Sequence, residues 1–265
     1  MDRHQSNRAA WNEAAAYYRR GLAASIEMLR GGGHSMCAPE LPYLADLADK
    51  RCIHLQCAGG EDTLSLLNLG AREVVGVDIS EEMIGLAKEK SKALDAHARW
   101  FVSDILDTPA ELDGTADFVY TGRGALNWIM DIEAWARVPA RLLKPGGKLY
   151  VFEGHPFTYC FDMEGSTLTP DPNYGGYFSG KIYESQDWSE SYVGKLKSSV
   201  AEQARKYERA WTIGELMGAV LGAGFVLERF EEHPDEYWKE FPKLPEAERR
   251  KIPNTFSLLA RKGSG

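Results

Sequence analysis

Residues Ile53-His54-Leu55-Gln56-Cys57-Ala58-Gly59-Gly60-Glu61-Asp62-Thr63-Leu64-Ser65-Leu66 decide the fold. An apolar run enters a turn of small residues and leaves as an apolar pattern of helical spacing. That sequence of patterns reads as strand, tight turn and helix. Roughly twenty residues beyond the turn, a second apolar run, residues 73–78, ends on the carboxylate of Asp78. The same alternation continues outward. Strand-type runs fall at residues 52–57, 73–78, 98–102, 117–120 and 148–153, and helix-sized segments separate them. The pattern predicts an α/β fold whose mostly parallel sheet is covered by helices on both faces.

The helix after Asp78 is readable in detail. Ser80 is placed to cap it, Glu81 and Glu82 occupy the first turn where the dipole favours acids, and Met83, Ile84, Ala87 and Leu94 form an inward stripe. A second helix is expected over residues 131–143, kinked by Pro139. Gly146 and Gly147 then turn the chain into the fifth strand. From residue 155 to 190 the pattern changes to Pro, Gly and aromatic residues with little periodicity, which reads as an insertion. Thr212 and Glu215 have capping-box spacing, and Gly222 and Gly224 mark where that helix stops. Residues 225–232 and 255–262 read as the last strands. The intervening segment, with Pro234, Pro242, Pro245 and Pro253, is too long for a tight hairpin.

Composition narrows the function classes. With 44% apolar and 26% charged residues, the 265-residue chain can bury a core without disulfides. One domain is expected, divided into a helical cap (1–36), a ligand-binding core (37–154), an insertion (155–210) and a C-terminal helix with the final strands (211–265). A net charge of −8 disfavours nucleic acid as partner. Cys37, Cys52, Cys57 and Cys160 form no metal-ligand spacing, and neither a secretory segment nor a membrane-length apolar run is seen. The reading is a cytoplasmic protein without metal, of unknown oligomeric state, acting on a small molecule.

Ligands of open α/β sheets sit beyond the carboxyl ends of the strands where strand order reverses. There, small residues let the backbone approach a ligand, and Asp78 can accept hydrogen bonds from both ribose hydroxyls. Together they imply an adenosine-type ligand. A dinucleotide would need G-x-G-x-x-G to lay its pyrophosphate on the helix N-terminus, and this chain lacks it. Glu61 and Asp62 at the helix entrance would repel a pyrophosphate and suit a cofactor bearing ammonium and sulfonium charges. That is the character of S-adenosylmethionine.

The segment from Ile53 to Gly60 resembles the first motif of class I S-adenosylmethionine-dependent methyltransferases, Val77-Asp78-Ile79-Ser80 the second, and Ser103-Asp104-Ile105 the third. Leu142-Leu143-Lys144-Pro145-Gly146-Gly147 is the most specific match. The resemblance implies a Rossmann-like sheet of seven strands with an antiparallel last strand. It implies that Gln56, Cys57, Ala58 and Gly59 lie along the methionine portion, with Thr121 and Gly122 nearby. Asp78 would hold the ribose, Ile79 and Met83 would pack on the adenine, and Asp104 with Ile105, next to Ser103, would read its edge. The family has an acidic residue where His54 stands and glycines where Gln56 and Ala58 stand. The N-terminal helix, with Trp11, Asn12, Tyr17 and Tyr18, resembles a cap hinged at residues 31–33, and His34 would reach the cofactor carboxylate.

On the reactive side, methyl transfer is a direct displacement in which a base is optional. His155 is a base candidate, because an imidazole titrates near neutral pH; the alternative is a structural histidine before a proline. Glu153 is the second candidate. Tyr18, Arg123, Asn127, Trp128 and His155 are candidate substrate contacts, with Arg123 suited to an anion. A packed Trp128 and a surface Arg123 are equally open readings. A nicotinamide-dependent oxidoreductase and a noncatalytic module that binds S-adenosylmethionine are the rival functions.

Overall fold

The computed structural model describes residues 2–189 and 192–263. The chain begins with α1 (Arg3–Tyr18), α2 (Leu22–Arg30) and the short α3 (Leu41–Leu44). It then alternates β1 (Arg51–Leu55), α4 (Glu61–Asn68), β2 (Glu73–Asp78), α5 (Glu81–Leu94), β3 (Ala98–Val102), β4 (Ala116–Gly122), α6 (Ile132–Leu142) and β5 (Leu143–Gly154). A separate antiparallel pair follows, β6 (Ile182–Ser185) with β7 (Lys206–Arg209). Last come α7 (Ile213–Gly222), β8 (Phe225–His233), α8 (Glu246–Arg249) and β9 (Thr255–Lys262).

The seven-stranded sheet has the order β3-β2-β1-β4-β5-β9-β8. The first five strands run parallel, and β9 is antiparallel to both its neighbours. Strand order reverses between β1 and β4, the place where an open sheet splays its loops apart. Side chains alternate along each strand, so one sheet builds two cores. Ile53, Leu55, Val75, Val77 and Val119 pack with Trp135 of α6 and Leu216 of α7. Cys52, Val74, Phe118 and Tyr150 pack with Leu44 of α3 and Leu66 of α4. Burial on both faces explains why these strands read as nearly continuous apolar runs.

Local chemistry sets the ends. The Ser80 hydroxyl accepts the Met83 amide as the cap of α5, and Thr212 with Glu215 closes a capping box on α7. The helix expected to kink at Pro139 is assigned continuously to Leu142. Between β4 and β5 the register jumps from Ala116–Leu143 to Phe118–Lys148, so residues 144–147 bulge out with Gly146 at φ 76°. The strand pair β6–β7 inside the insertion was not legible. Its periodicity is short, and its partner on one side is α1: Asn7 donates to the Tyr207 carbonyl and accepts the Tyr207 amide.

Candidate active site

The turn after β1 is built against steric preference. Gln56 and Ala58 take φ of 58° and 43°, the left-handed region that a β-carbon disfavours. Hydrogen bonds over-determine it. Gln56 Nε2 donates to the Ala125 carbonyl at 2.5 Å, the Cys57 amide to the Val77 carbonyl at 3.1 Å, and the Ala58 amide to Asp78 Oδ2 at 2.8 Å. At Gly60, φ 75°, a methyl group would lie 2.5 Å from Trp100, so only glycine fits. Lys90 Nζ fixes the Gly59 carbonyl at 2.8 Å.

Asp78 closes β2 and is nearly buried. Its Oδ1 accepts the Ser80 amide at 2.9 Å while Oδ2 accepts Ala58. Burial pushes the carboxyl up to about 6 against the pull of those amides. Each oxygen keeps lone-pair capacity, and the carboxylate lines a cavity of about 630 Å³ at the carboxyl edge of the sheet. A volume of that order is usual for a cofactor or small-molecule site.

Many residues singled out from the sequence meet on this cavity. Gln56, Cys57, Ala58 and Gly59 line it from the first turn, Asp78 from the end of β2 with Ile79 just after it, Asp104 and Ile105 after β3, and Gly122 from the end of β4 with Arg123 and Trp128 after it. Tyr18 lines it from α1. Gly122 is there because nothing larger fits: a β-carbon would lie 2.3 Å from the Phe152 carbonyl oxygen.

Six candidates do not line the cavity, each for a local reason. His155 is 4% exposed, its Nε2 lies 2.8 Å from Glu232 Oε1, and burial holds its pKa down. Glu153 accepts the amides of Gly124, Ala125 and Leu126 at 2.6, 2.8 and 3.0 Å, so its carboxylate shapes the loop after β4. Burial pushes that carboxyl up to about 7. Thr121 is fully buried and donates to the Leu55 carbonyl. Met83 is buried among Ala10, Ala14 and Leu86, Ser103 donates to the carbonyls of Asp104 and Asp107, and Asn127 donates to the Tyr159 hydroxyl. His34 is also away from the cavity.

Arg123 is neither a surface arginine nor a free cation. It adopts φ 60° and lies 3.4 Å from Glu40 Oε2 and 3.3 Å from Asp62 Oδ1. Tyr120 donates to Glu40 and Ser35 to Asp62, which makes a buried network under the first turn. Burial opposes ionisation of Asp62, but Arg123, helped by the Ser35 hydroxyl, outweighs it and holds the carboxyl below its usual value. The electrostatic case against a pyrophosphate therefore passes from Asp62 to Glu61 and Asp78, which also line the cavity. His54, held down to about 4 by burial, bonds Thr63 and packs on Tyr120. Asp104 is shared: its Oδ2 meets His4 Nδ1 at 2.6 Å, and its Oδ1 accepts the Leu106 amide.

Sequence reasoning missed His4, Asn7, Lys90, Tyr192, Tyr237 and Trp238, all on the cavity. Only the aromatic density of the segment between β8 and β9 signalled the last two. Among the described residues, no cluster of three or more His, Cys, Asp or Glu side chains could hold a metal ion. No helix among them is long and apolar enough to cross a membrane.

Comparison with known proteins bears on this arrangement. Residues 53–147, which run from the middle of β1 to the start of β5, match the family model of a methyltransferase domain. This stretch is similar to a methyltransferase domain. Among curated relatives, a ubiquinone biosynthesis O-methyltransferase of Xanthomonas oryzae pv. oryzae is 33% identical over 121 residues, 44% of this chain and 50% of that one. Phosphoethanolamine N-methyltransferase 3 of Arabidopsis thaliana is 28% identical over 186 residues, 70% of this chain and 34% of that one. The chain thus spans about half the length of the first curated relatives it matches. The crystal structure of an S-adenosylmethionine-dependent methyltransferase from Mesorhizobium loti superposes with a TM-score of 0.61 at 21% identity, over 85% of this chain and 98% of that one. The matched residues 53–147 include Gln56, Cys57, Ala58, Gly59, Asp78 and Gly122, which line the cavity.

Proposed function

We propose that the protein transfers a methyl group from S-adenosylmethionine to an oxygen, nitrogen or carbon atom of a small molecule, leaving S-adenosylhomocysteine. The observation that carries this reading is Asp78, a nearly buried carboxylate at the end of β2, facing the same cavity as the tightly turned residues 56–59. Asp78 would accept the ribose hydroxyls, Ile79 and Ile105 would sandwich the adenine, and residues 56–59 would lie along the methionine portion. Asp104 would contribute to the adenine edge while holding His4.

When bound, the cofactor supplies an electrophilic methyl group. The protein's task is alignment in a site from which water is excluded. The loop after β4, held by Glu153, sets one wall of that site, and α1 closes over another. With His155 and Glu153 turned away, alignment carries the catalysis in this reading. A net charge of −8 speaks against a nucleic-acid acceptor, and the free Cys37, Cys52, Cys57 and Cys160 suit the reducing cytoplasm.

Isothermal titration with S-adenosylhomocysteine tests it. Asp78→Ala should weaken binding about tenfold or more, the loss of hydrogen bonds to a charged acceptor. Unchanged affinity would remove the ribose contact on which the reading stands.

A further inference from the structure

Part of the cavity wall is made of rings. Trp11 and Tyr18 come from α1, Trp128 from the turn after β4, Tyr192 from the insertion, and Tyr237 and Trp238 from the segment between β8 and β9. Four separate parts of the chain converge, so this is not one helix's core stripe. Trp11 meets Trp128 edge-on at 5.2 Å and Tyr192 at 6.0 Å, Tyr192 meets Trp238 edge-on at 4.2 Å, and Tyr237 stacks beside Trp238 at 6.0 Å. All six are only half-buried, whereas the core Trp135 is fully buried. Their uncovered surface fronts the cavity.

The charges on the cavity point the same way. Lys90 is bonded to the Gly59 carbonyl, Arg123 is paired with Glu40 and Asp62, and His4 is bonded to Asp104. Arg20 lies on the exposed rim, over the Tyr17 ring. Inside, an incoming anion would meet ring faces, which carry negative quadrupole, together with Glu61 and Asp78. The polar atoms on the rings are neutral phenols and indoles; burial pushes the Tyr18 hydroxyl up to about 12.

Resting on the methyl-transfer reading, we propose that the methyl acceptor is a flat, ring-bearing molecule without negative charge, clamped between Trp11, Trp128, Tyr192 and Trp238. Ring faces give stacking area to a neutral aromatic and additional attraction to a cationic one, while a phosphorylated acceptor is rejected for want of an unpaired cation inside.

The test titrates three probes into the full chain, with and without saturating S-adenosylhomocysteine: p-cresol (neutral), benzylamine (cationic) and phenyl phosphate (anionic). The expected result is binding of p-cresol or benzylamine at least about tenfold tighter than phenyl phosphate, the scale of a desolvated ring contact. Trp238→Ala should weaken the preferred probe by about tenfold and leave S-adenosylhomocysteine affinity within about twofold, which also shows the variant is folded. Equal or tighter binding of phenyl phosphate, no binding of any probe, or an unchanged Trp238→Ala would overturn the proposal. Failure of S-adenosylhomocysteine to bind while the probes discriminate as expected would instead strike the methyl-transfer reading and leave the ring chamber standing.

Discussion

Asp78 shows how one side chain couples burial to binding. Its carboxyl stands at about 6 in the folded protein, above the value near 3.9 of an unfolded chain. As pH falls between those values the folded state takes up the extra proton, so this group favours folding toward low pH and costs stability as pH rises through about 6. Ligand binding has the opposite sign, because ribose hydroxyls need the charged acceptor. S-adenosylhomocysteine affinity, followed by calorimetry, should be full above about pH 6 and decline below it; a flat profile across that range contradicts the role. Gly122 makes a steric prediction. A methyl group 2.3 Å from the Phe152 carbonyl oxygen forces β4 from β5, so Gly122→Ala should lose about 1–3 kcal/mol in urea unfolding. Unaltered stability would mean that the close approach is not binding on the structure. The position of Asp78 on the cavity was legible because a strand end fixes where a terminal side chain points. The fate of Arg123 was not, since Glu40 and Asp62 reach it only through the fold.

At the scale of elements, α1 acts as a bridge. Asn12 accepts from the Ser80 hydroxyl and Arg8 pairs with Glu81 on α5, while Ser6 and Asn7 bond to Arg205 and Tyr207 in the insertion. His4 and Asp104 tie its first turn to the loop after β3. The hydrogen bond to Asp104 raises the His4 pKa above its ordinary 6.5, and Asp104, despite burial, is held below its own ordinary value by His4. The stabilisation is therefore fully present below about pH 6.5, down to where Asp104 protonates, and is lost as pH rises through the raised His4 value. His4→Ala should lower the melting temperature more at pH 6 than at pH 8.5, and equal losses at both would contradict a charged pair. Trp11 and Tyr18 marked α1 as a cap, yet nothing in its sequence named its partners, because Tyr207 and Ala204 lie some two hundred residues away. The pair β6–β7 escaped notice for the same reason. Its residues show no clean alternation, and they are held by α1 as much as by each other.

Over the whole molecule, the sheet was legible because the four buried parallel strands β1, β2, β4 and β5 need long apolar runs, and the turns between strands need glycine or a cap. Residues 73–78, 98–102 and 255–262 begin and end where their composition changes. The long return between β8 and β9 was seen as a segment without a role, whereas Tyr237 and Trp238 bring it to the cavity. What ties sheet, cap and insertion together is the claim that their common cavity holds an adenosyl group attached to a cationic sulfur. Thermal unfolding with S-adenosylhomocysteine, compared with NAD at equal concentration, tests that claim most directly. At about one hundred times its dissociation constant, the homocysteine product should add about 2.7 kcal/mol and raise the melting temperature by several degrees, with no shift from NAD. A shift from NAD alone, or from neither ligand, would contradict it.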